Sequence, residues 1–159
     1  MQLSTSRLAT VDDAELVRAI SASAYIPAYE GVIGAIPLPA QEDYTDRILN
    51  GDVWIAEVEG VAAGVLVVEE GDSFLMVYSV AVSPQYQNRG LGKELLAHAE
   101  SCAAAKRLRE IRLYTNSRMS RNIALYEHYG FIRKDERPHP SRVGEMLLDM
   151  HKKVEIGKA

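Results

Sequence analysis

Cysteine is almost missing from this chain. Cys102 is the only one in 159 residues, so no disulfide can form within it. It sits on the apolar side of a predicted helix and reads as a small buried hydrophobe rather than a nucleophile. Long apolar runs are missing too. Although 47% of residues are hydrophobic, no stretch approaches the ~18–20 residues of a membrane span, and no membrane partner is expected. Met1-Gln2-Leu3-Ser4-Thr5-Ser6-Arg7 lacks the apolar core of a signal peptide, so a cytoplasmic location is expected. His98 and His128 fall on predicted outward helix faces and His139 lies between two prolines; none has metal-ligand spacing, and no metal is expected. Repeats, linkers and low-complexity segments are absent, so one domain over residues 1–159 is expected.

Basic residues are scarce in one half only. Residues 1–80 hold Arg7, Arg18 and Arg47 against thirteen acidic residues, a balance of −10; residues 81–159 hold fifteen basic against nine acidic, a balance of +6. A net charge of −4 and the lack of a basic run interleaved with aromatics argue against nucleic acid as a partner. The asymmetry points instead to an anion site in the second half and a cation-attracting surface in the first.

Read in order, Leu3–Leu8 alternates as a first strand. A helix over Ala14–Ala24 carries Leu16, Val17, Ile20 and Ala24 on one stripe. Tyr25–Pro39 has three prolines and two glycines and is expected to be an apolar loop over a binding site. A second helix is expected over Ala40–Asn50, stopped at Asn50-Gly51. Val53–Val58 and Val61–Val68 read as a hairpin through Glu59-Gly60. The strand from Phe74 to Val82 is apolar on both faces and should be central. Leu91, Leu95, Leu96, Ala99 and Cys102 mark the next helix. Glu110–Thr115 is a strand, Met119–Tyr129 a helix capped by Gly130, Phe131–Lys134 a strand, and Arg142–His151 a last strand before a frayed tail from Lys152. The predicted order is β α α β β β α β α β β: a mixed, mostly antiparallel α/β (α+β) sheet of about seven strands with helices on both faces.

The stretch from Phe74 to Ala105 organises the rest. A strand ends, Ser83-Pro84-Gln85-Tyr86 turns, and Gln87-Asn88-Arg89-Gly90-Leu91-Gly92 leads into a helix. The first amides of a helix have no partner inside it and form its positive end. Gly90 and Gly92 let a phosphate approach the backbone, and Arg89 and Lys93 add positive charge. Two nucleotide loops fail here. A dinucleotide fingerprint needs a third glycine where Leu95 stands, and a Walker loop needs glycine at Gln87 and Ser or Thr at Glu94. The segment resembles instead the acyl-CoA loop, Gln/Arg-x-x-Gly-x-Gly/Ala, of the GNAT N-acetyltransferase superfamily. Within Asn122-Ile123-Ala124-Leu125-Tyr126-Glu127-His128-Tyr129-Gly130-Phe131, residues 125–131 are similar to that family's Leu-Tyr-x-x-x-Gly-Phe segment, one strand further on.

The resemblance implies an enzyme that transfers acetyl from acetyl-CoA to a primary amine by direct attack. It implies backbone pairing of the pantetheine arm at Val80, Ala81 and Val82. It implies pyrophosphate binding along Gln87, Asn88, Arg89, Gly90, Leu91, Gly92 and Lys93, a cofactor contact at Asn122, and Tyr126 as general acid toward the departing thiolate. A phenol with pKa about 10 is protonated at neutral pH and can serve. The chain departs from the pattern at Met119, where many members carry an asparagine; Asn116 and Asn122 flank it. The base is not identifiable, with Glu57, Glu69, Tyr78 and Tyr114 conceivable. The acceptor, a small molecule or a protein amine, is expected to be cationic and admitted past Tyr25, Tyr29 and Glu30. A non-catalytic acyl-CoA sensor and a nucleotide-phosphate enzyme are the rival readings. Oligomeric state is not readable, and a homodimer is the default assembly.

Overall fold

The computed structural model describes residues 4–156. The strands are β1 (Thr5–Leu8), β2 (Val53–Val58), β3 (Val61–Glu70), β4 (Leu75–Val82), β5 (Glu110–Asn116), β6 (Ile132–Pro138) and β7 (Met146–Lys153). The helices are α1 (Ala14–Glu30), α2 (Thr45–Leu49), α3 (Leu91–Ala105) and α4 (Ser120–Tyr129), with short 3-10 turns at Val11–Asp13, Leu38–Ala40 and Pro84–Tyr86. The strands form a seven-stranded sheet in the order β1-β2-β3-β4-β5-β7-β6. β4 pairs with β5 in parallel, while β1–β2, β2–β3, β5–β7 and β6–β7 pair antiparallel. The expected fold class, element order and central β4 are all present. The chain divides into two compact units, one of residues 1–69 and 77–99, the other of residues 70–76 and 100–159.

In the first unit, Val53 and Ile55 of β2 stand opposite Val67 and Val65 of β3. They join Val17 and Ile20 of α1 and Ile48 of α2 in one buried cluster. The alternate residues face the other way: the Trp54 ring meets His98 of α3 at 4.3 Å between centroids. Both faces of these strands are therefore covered by helices, which is why β3 is buried at every position from Ala63 to Val68. The hairpin at Glu59-Gly60 has positive φ at both residues, 51° and 79°, matching the twist of its strands. Leu3 lies outside the described residues; β1 begins at Thr5.

Helix α1 overruns its expected end. It continues through Pro27 to Glu30, although an interior proline costs a helix about 3 kcal/mol. The stripe of Val17, Ile20 and Ser21 extends to Tyr29, which is buried. Tyr25 reaches strand β4 through its hydroxyl, so tertiary contacts outweigh the local penalty. Helix α2 is shorter than expected, beginning only at Thr45. It stops at Asn50 and Gly51, the latter at φ 79°, where the sequence places the stop.

In the second unit, β5 pairs with β7 from Glu110↔Lys153 to Asn116↔Leu147. Lys152 and Lys153 are thus strand residues, and the Val154 N–H donates to the Arg109 carbonyl at 2.8 Å; order extends past the expected fraying point. Strand β6 runs to Pro138 along an exposed edge. The strand expected over Phe131–Lys134 thus extends four residues further, and its Arg-Lys-Asp-Glu-Arg run suits an edge that must not pair further. Gly130 caps α4 at φ 119° and donates to the carbonyls of Tyr126 and Glu127.

Candidate functional site

The loop after β4 is built to present backbone. Ser83 N–H donates to the Ala63 carbonyl at 2.9 Å and Tyr86 N–H to the Ser83 carbonyl at 2.9 Å, tying the turn to β3. The Gln87 side chain donates from Nε2 to the Val82 carbonyl at 3.0 Å. Gln87 therefore closes the loop onto the strand end. Asn88 and Gly90 both lie in the left-handed region, at φ 64° and 84°. Alternation of that kind turns successive amides into a concave, anion-favouring arrangement. The Glu94 N–H donates to the Gly90 carbonyl at 3.1 Å, so the amides of Leu91, Gly92 and Lys93 precede the first intrahelical bond of α3 and have no partner inside the helix. Gln87, Asn88, Arg89, Gly90 and Lys93 are exposed, and Leu91 is buried as the anchor of the first turn. The Arg89 guanidinium lies 5.6 Å from the Tyr86 ring centroid. Glu94 turns to Ser4, accepting from its N–H at 3.1 Å and its hydroxyl at 3.0 Å.

Gly64 positions that first turn and was missed by reading for motifs. A Cβ there would sit 3.1 Å from the Ala81 carbonyl oxygen, 3.1 Å from Leu95 Cδ1 and 3.4 Å from Leu91 Cδ2. Helix α3 can approach β3 only because this residue has no side chain, and a glycine inside an apolar strand is the signal that marks such an approach. Gly64→Val should destabilise the fold by about 1–3 kcal/mol through overpacking. Urea unfolding should show a lower midpoint with an unchanged slope; an unchanged midpoint would mean that α3 is free to move away.

Of the expected arm-binding residues, Ala81 is buried while Val80 and Val82 are half-buried on β4. The Tyr25 hydroxyl lies 2.9 Å from Ser79 Oγ and 3.3 Å from the Val80 carbonyl. Tyr25 is half-buried, Tyr29 buried and Glu30 exposed, the two rings meeting edge to face at 6.1 Å. All three belong to α1 rather than to a loop.

The conceivable bases of this unit have other partners. Glu57 accepts from Arg7 Nε at 3.2 Å, and Glu69 from Arg47 at 2.8 Å. Tyr78 donates to Glu42 Oε1 at 2.6 Å and lies under the Arg47 guanidinium, 3.8 Å from its centroid. Burial, reinforced by the bond to Glu42, pushes the Tyr78 phenol well above its ordinary value, so it stays protonated. Arg47 also donates to Glu42. Tyr78, Glu42, Arg47 and Glu69 thus form one polar network at α2, while Glu57 pairs separately with Arg7. His98, expected on an outward face, is half-buried against Trp54, and burial lowers its pKa.

In the second unit, Tyr126 and Asn122 are half-buried on α4. The Tyr126 ring stands 5.9 Å from that of Phe131, edge to face. Met119 is buried at the helix's start. Asn116 is buried as well; its Nδ2 donates to Glu145 at 2.8 Å and its Oδ1 accepts from the Arg118 N–H at 3.0 Å. Both ends of that amide thus bond within the local structure. Tyr114 is exposed beside Arg137, 5.2 Å from ring centroid to guanidinium.

A family model described as an acetyltransferase (GNAT) domain matches residues 49–133, more than half of the chain and inclusive of both motifs. The chain belongs to the GNAT acetyltransferase family. Similar solved structures include the PaiA N-acetyltransferase of Thermoplasma acidophilum in complex with coenzyme A. It is 20% identical with a TM-score of 0.77, over 96% of this chain and 99% of that one. The ribosomal-protein-S18-alanine N-acetyltransferase of Escherichia coli is likewise 20% identical with a TM-score of 0.77, over 98% and 96% of the two chains. At those identities the likeness shows the GNAT fold alone. A mycothiol acetyltransferase of Kocuria rhizophila is 42% identical over 57 residues, 36% of this chain and 19% of that protein; the match thus spans a small part of the curated relative's length. No helix among the described residues is long and apolar enough to cross a membrane.

Proposed function

We propose that the chain is a single-domain, acetyl-CoA-dependent N-acetyltransferase acting on a primary amine. The observation that carries this reading is the loop from Gln87 to Lys93, with left-handed Asn88 and Gly90 ahead of the open first turn of α3, in a chain of GNAT membership. In the proposed reaction the neutral amine attacks the thioester carbon, the tetrahedral oxyanion collapses, and the carbon–sulfur bond breaks. Tyr126 gives its proton to the leaving thiolate and regains one from solvent, while the attacking nitrogen's surplus proton passes to solvent. The loop amides, with Arg89 and Lys93, hold the pyrophosphate; Val80, Ala81 and Val82 pair with the pantetheine arm, and Asn122 supplies a further contact. No metal enters this scheme. Acetyl-CoA should stabilise the folded protein by about 2.7 kcal/mol at a hundred times its dissociation constant. A thermal-shift titration that responds to ATP and not to acetyl-CoA would remove the assignment. A sensor on the same fold would bind acetyl-CoA without releasing thiol to any amine in a panel.

The acceptor is proposed to be cationic. The acidic first half cannot serve CoA, itself a polyanion, and a negative field concentrates ammonium ions at the surface that carries it. Exposed Glu30 would supply the charge partner and the Tyr25 ring a cation–π face, with Tyr29 buried behind it. kcat/KM for the best amine should fall as ionic strength rises. A flat or rising profile, or a preference for acidic acceptors, would return this charge to the role of solvated surface. The enzyme is proposed to act in the cytoplasm, with a small-molecule or protein amine as its acceptor and a second copy of itself as its partner.

A further inference from the structure

Helix α3 carries an acid where an anion site would least tolerate one. Glu94 lies one turn above Gly90, whose carbonyl accepts its N–H at 3.1 Å. Residues four apart share a helix face, and helical side chains lean toward the N-terminus. The Glu94 side chain therefore starts within reach of the open first amides of α3. A carboxylate in the first turn stabilises a helix by facing its positive end, so this acid suits α3 and would oppose an anion bound there. The structure holds it elsewhere. Glu94 Oε1 accepts from the Ser4 N–H at 3.1 Å and from the Ser4 hydroxyl at 3.0 Å. Ser4 is 7% exposed and immediately precedes β1. In the sheet, β2 and β3 separate β1 from β4, the strand that feeds the loop. The carboxylate is thus drawn toward β1 and away from the loop. The flanking cations Arg89 and Lys93 are exposed, whereas Glu94 is half-buried. The charges that suit an anion are presented, and the one that does not is withdrawn.

Resting on the acetyl-CoA reading above, we infer that Ser4 is a positioning residue for the anion loop: by clasping Glu94 it keeps a carboxylate away from the amides that take the diphosphate. The physical link is Coulombic. Released from Ser4, the carboxylate would be drawn to the same positive helix end as the diphosphate, and two anions at one set of donors repel. Hydrogen bonds to a charged acceptor are about twice as strong as neutral ones, so two of them on one oxygen hold the side chain firmly. The clasp also keeps the acid on α3, where the helix dipole still gains from it.

The test breaks the clasp with and without the charge it holds. Ser4→Ala removes the hydroxyl and keeps the N–H; Ser4→Pro removes both donors. Each is made alone and together with Glu94→Gln, which keeps the shape of the side chain and removes its charge. Acetyl-CoA is titrated calorimetrically into each folded protein at low and at high ionic strength. At low ionic strength the dissociation constant should rise about 5–10-fold for Ser4→Pro and about threefold for Ser4→Ala, which carries the comparison should Ser4→Pro not fold. Combined with Glu94→Gln, both should give the same constant as Glu94→Gln alone. The ratio of variant to parent should shrink as salt rises, because a charge effect is screened and a packing effect is not. An equal loss with and without the Glu94 charge, or a ratio that salt leaves unchanged, would mean that Ser4 only joins β1 to α3. Unchanged affinity in both Ser4 variants would mean that the carboxylate does not reach the loop. Each of these results overturns the inference. Failure of the unaltered protein to bind acetyl-CoA would instead overturn the functional reading on which it rests.

Discussion

Gly90→Asp should raise the CoA dissociation constant by about 100-fold or more while leaving the protein folded, and this is the largest effect expected of any single change in the loop. Gly90 lies at φ 84°, a conformation that costs an ordinary L-residue roughly 1–2 kcal/mol and is tolerated best by asparagine and aspartate. The residue is exposed, so the new side chain meets solvent rather than core, and the fold should lose little. Binding is different. The chain turns at Gly90 so that the first amides of α3 are open, and a carboxylate at that point would face the diphosphate with like charge and occupy the approach to the backbone. Gly90→Asn separates the two causes, since it shares the shape and the backbone tolerance but not the charge. Its CoA affinity should fall between those of the parent and Gly90→Asp. Calorimetry on folded Gly90→Asp giving the parent's CoA affinity would show that phosphate binds elsewhere.

Tyr126→Phe should lower kcat by roughly 10–100-fold with little change in acetyl-CoA affinity. The substitution removes one oxygen and keeps the ring that meets Phe131 edge to face at 5.9 Å, so the packing of α4 on the following residue survives. What would be lost, in the proposed reaction, is the proton donor to the departing thiolate. An interaction made only in the transition state lowers kcat and kcat/KM together, whereas one that serves binding would raise KM. The comparison should be made with two acyl donors, because a thioester with a better leaving group needs the acid less and should show a smaller deficit. Equal rates for Tyr126→Phe and the parent protein would leave Tyr126 as a core aromatic.

The two motifs were legible in the chain because their chemistry is local. A strand, a turn with Gly90 and Gly92, and a helix start lie within a dozen residues, and the backbone conformation that exposes the amides follows from neighbours in sequence. The Leu125-Tyr126 segment with its Gly130 cap is local in the same sense, as are the Glu59-Gly60 hairpin and the stop at Gly51. Periodicity likewise determined the order of the elements and the central place of β4, since a strand apolar on both faces must be covered on both. Other features depend on partners far away along the chain, and these only the tertiary structure decided. Pro27 and the glycines after it point to a loop, yet α1 reaches Glu30 because Tyr25 meets residues 54 and 55 positions further on. The strand expected to end at Lys134 runs on through the charged Asp135-Glu136-Arg137 because β7 is there to pair with it. Glu57, Glu69 and Tyr78 looked equally available as bases until Arg7, Arg47 and Glu42 were seen to hold them. Gly64 is one small residue in a strand until α3 is laid against it. The division is physical: backbone conformation is set over a few residues, whereas burial, ion pairing and the availability of a proton depend on which distant side chains the fold brings into contact.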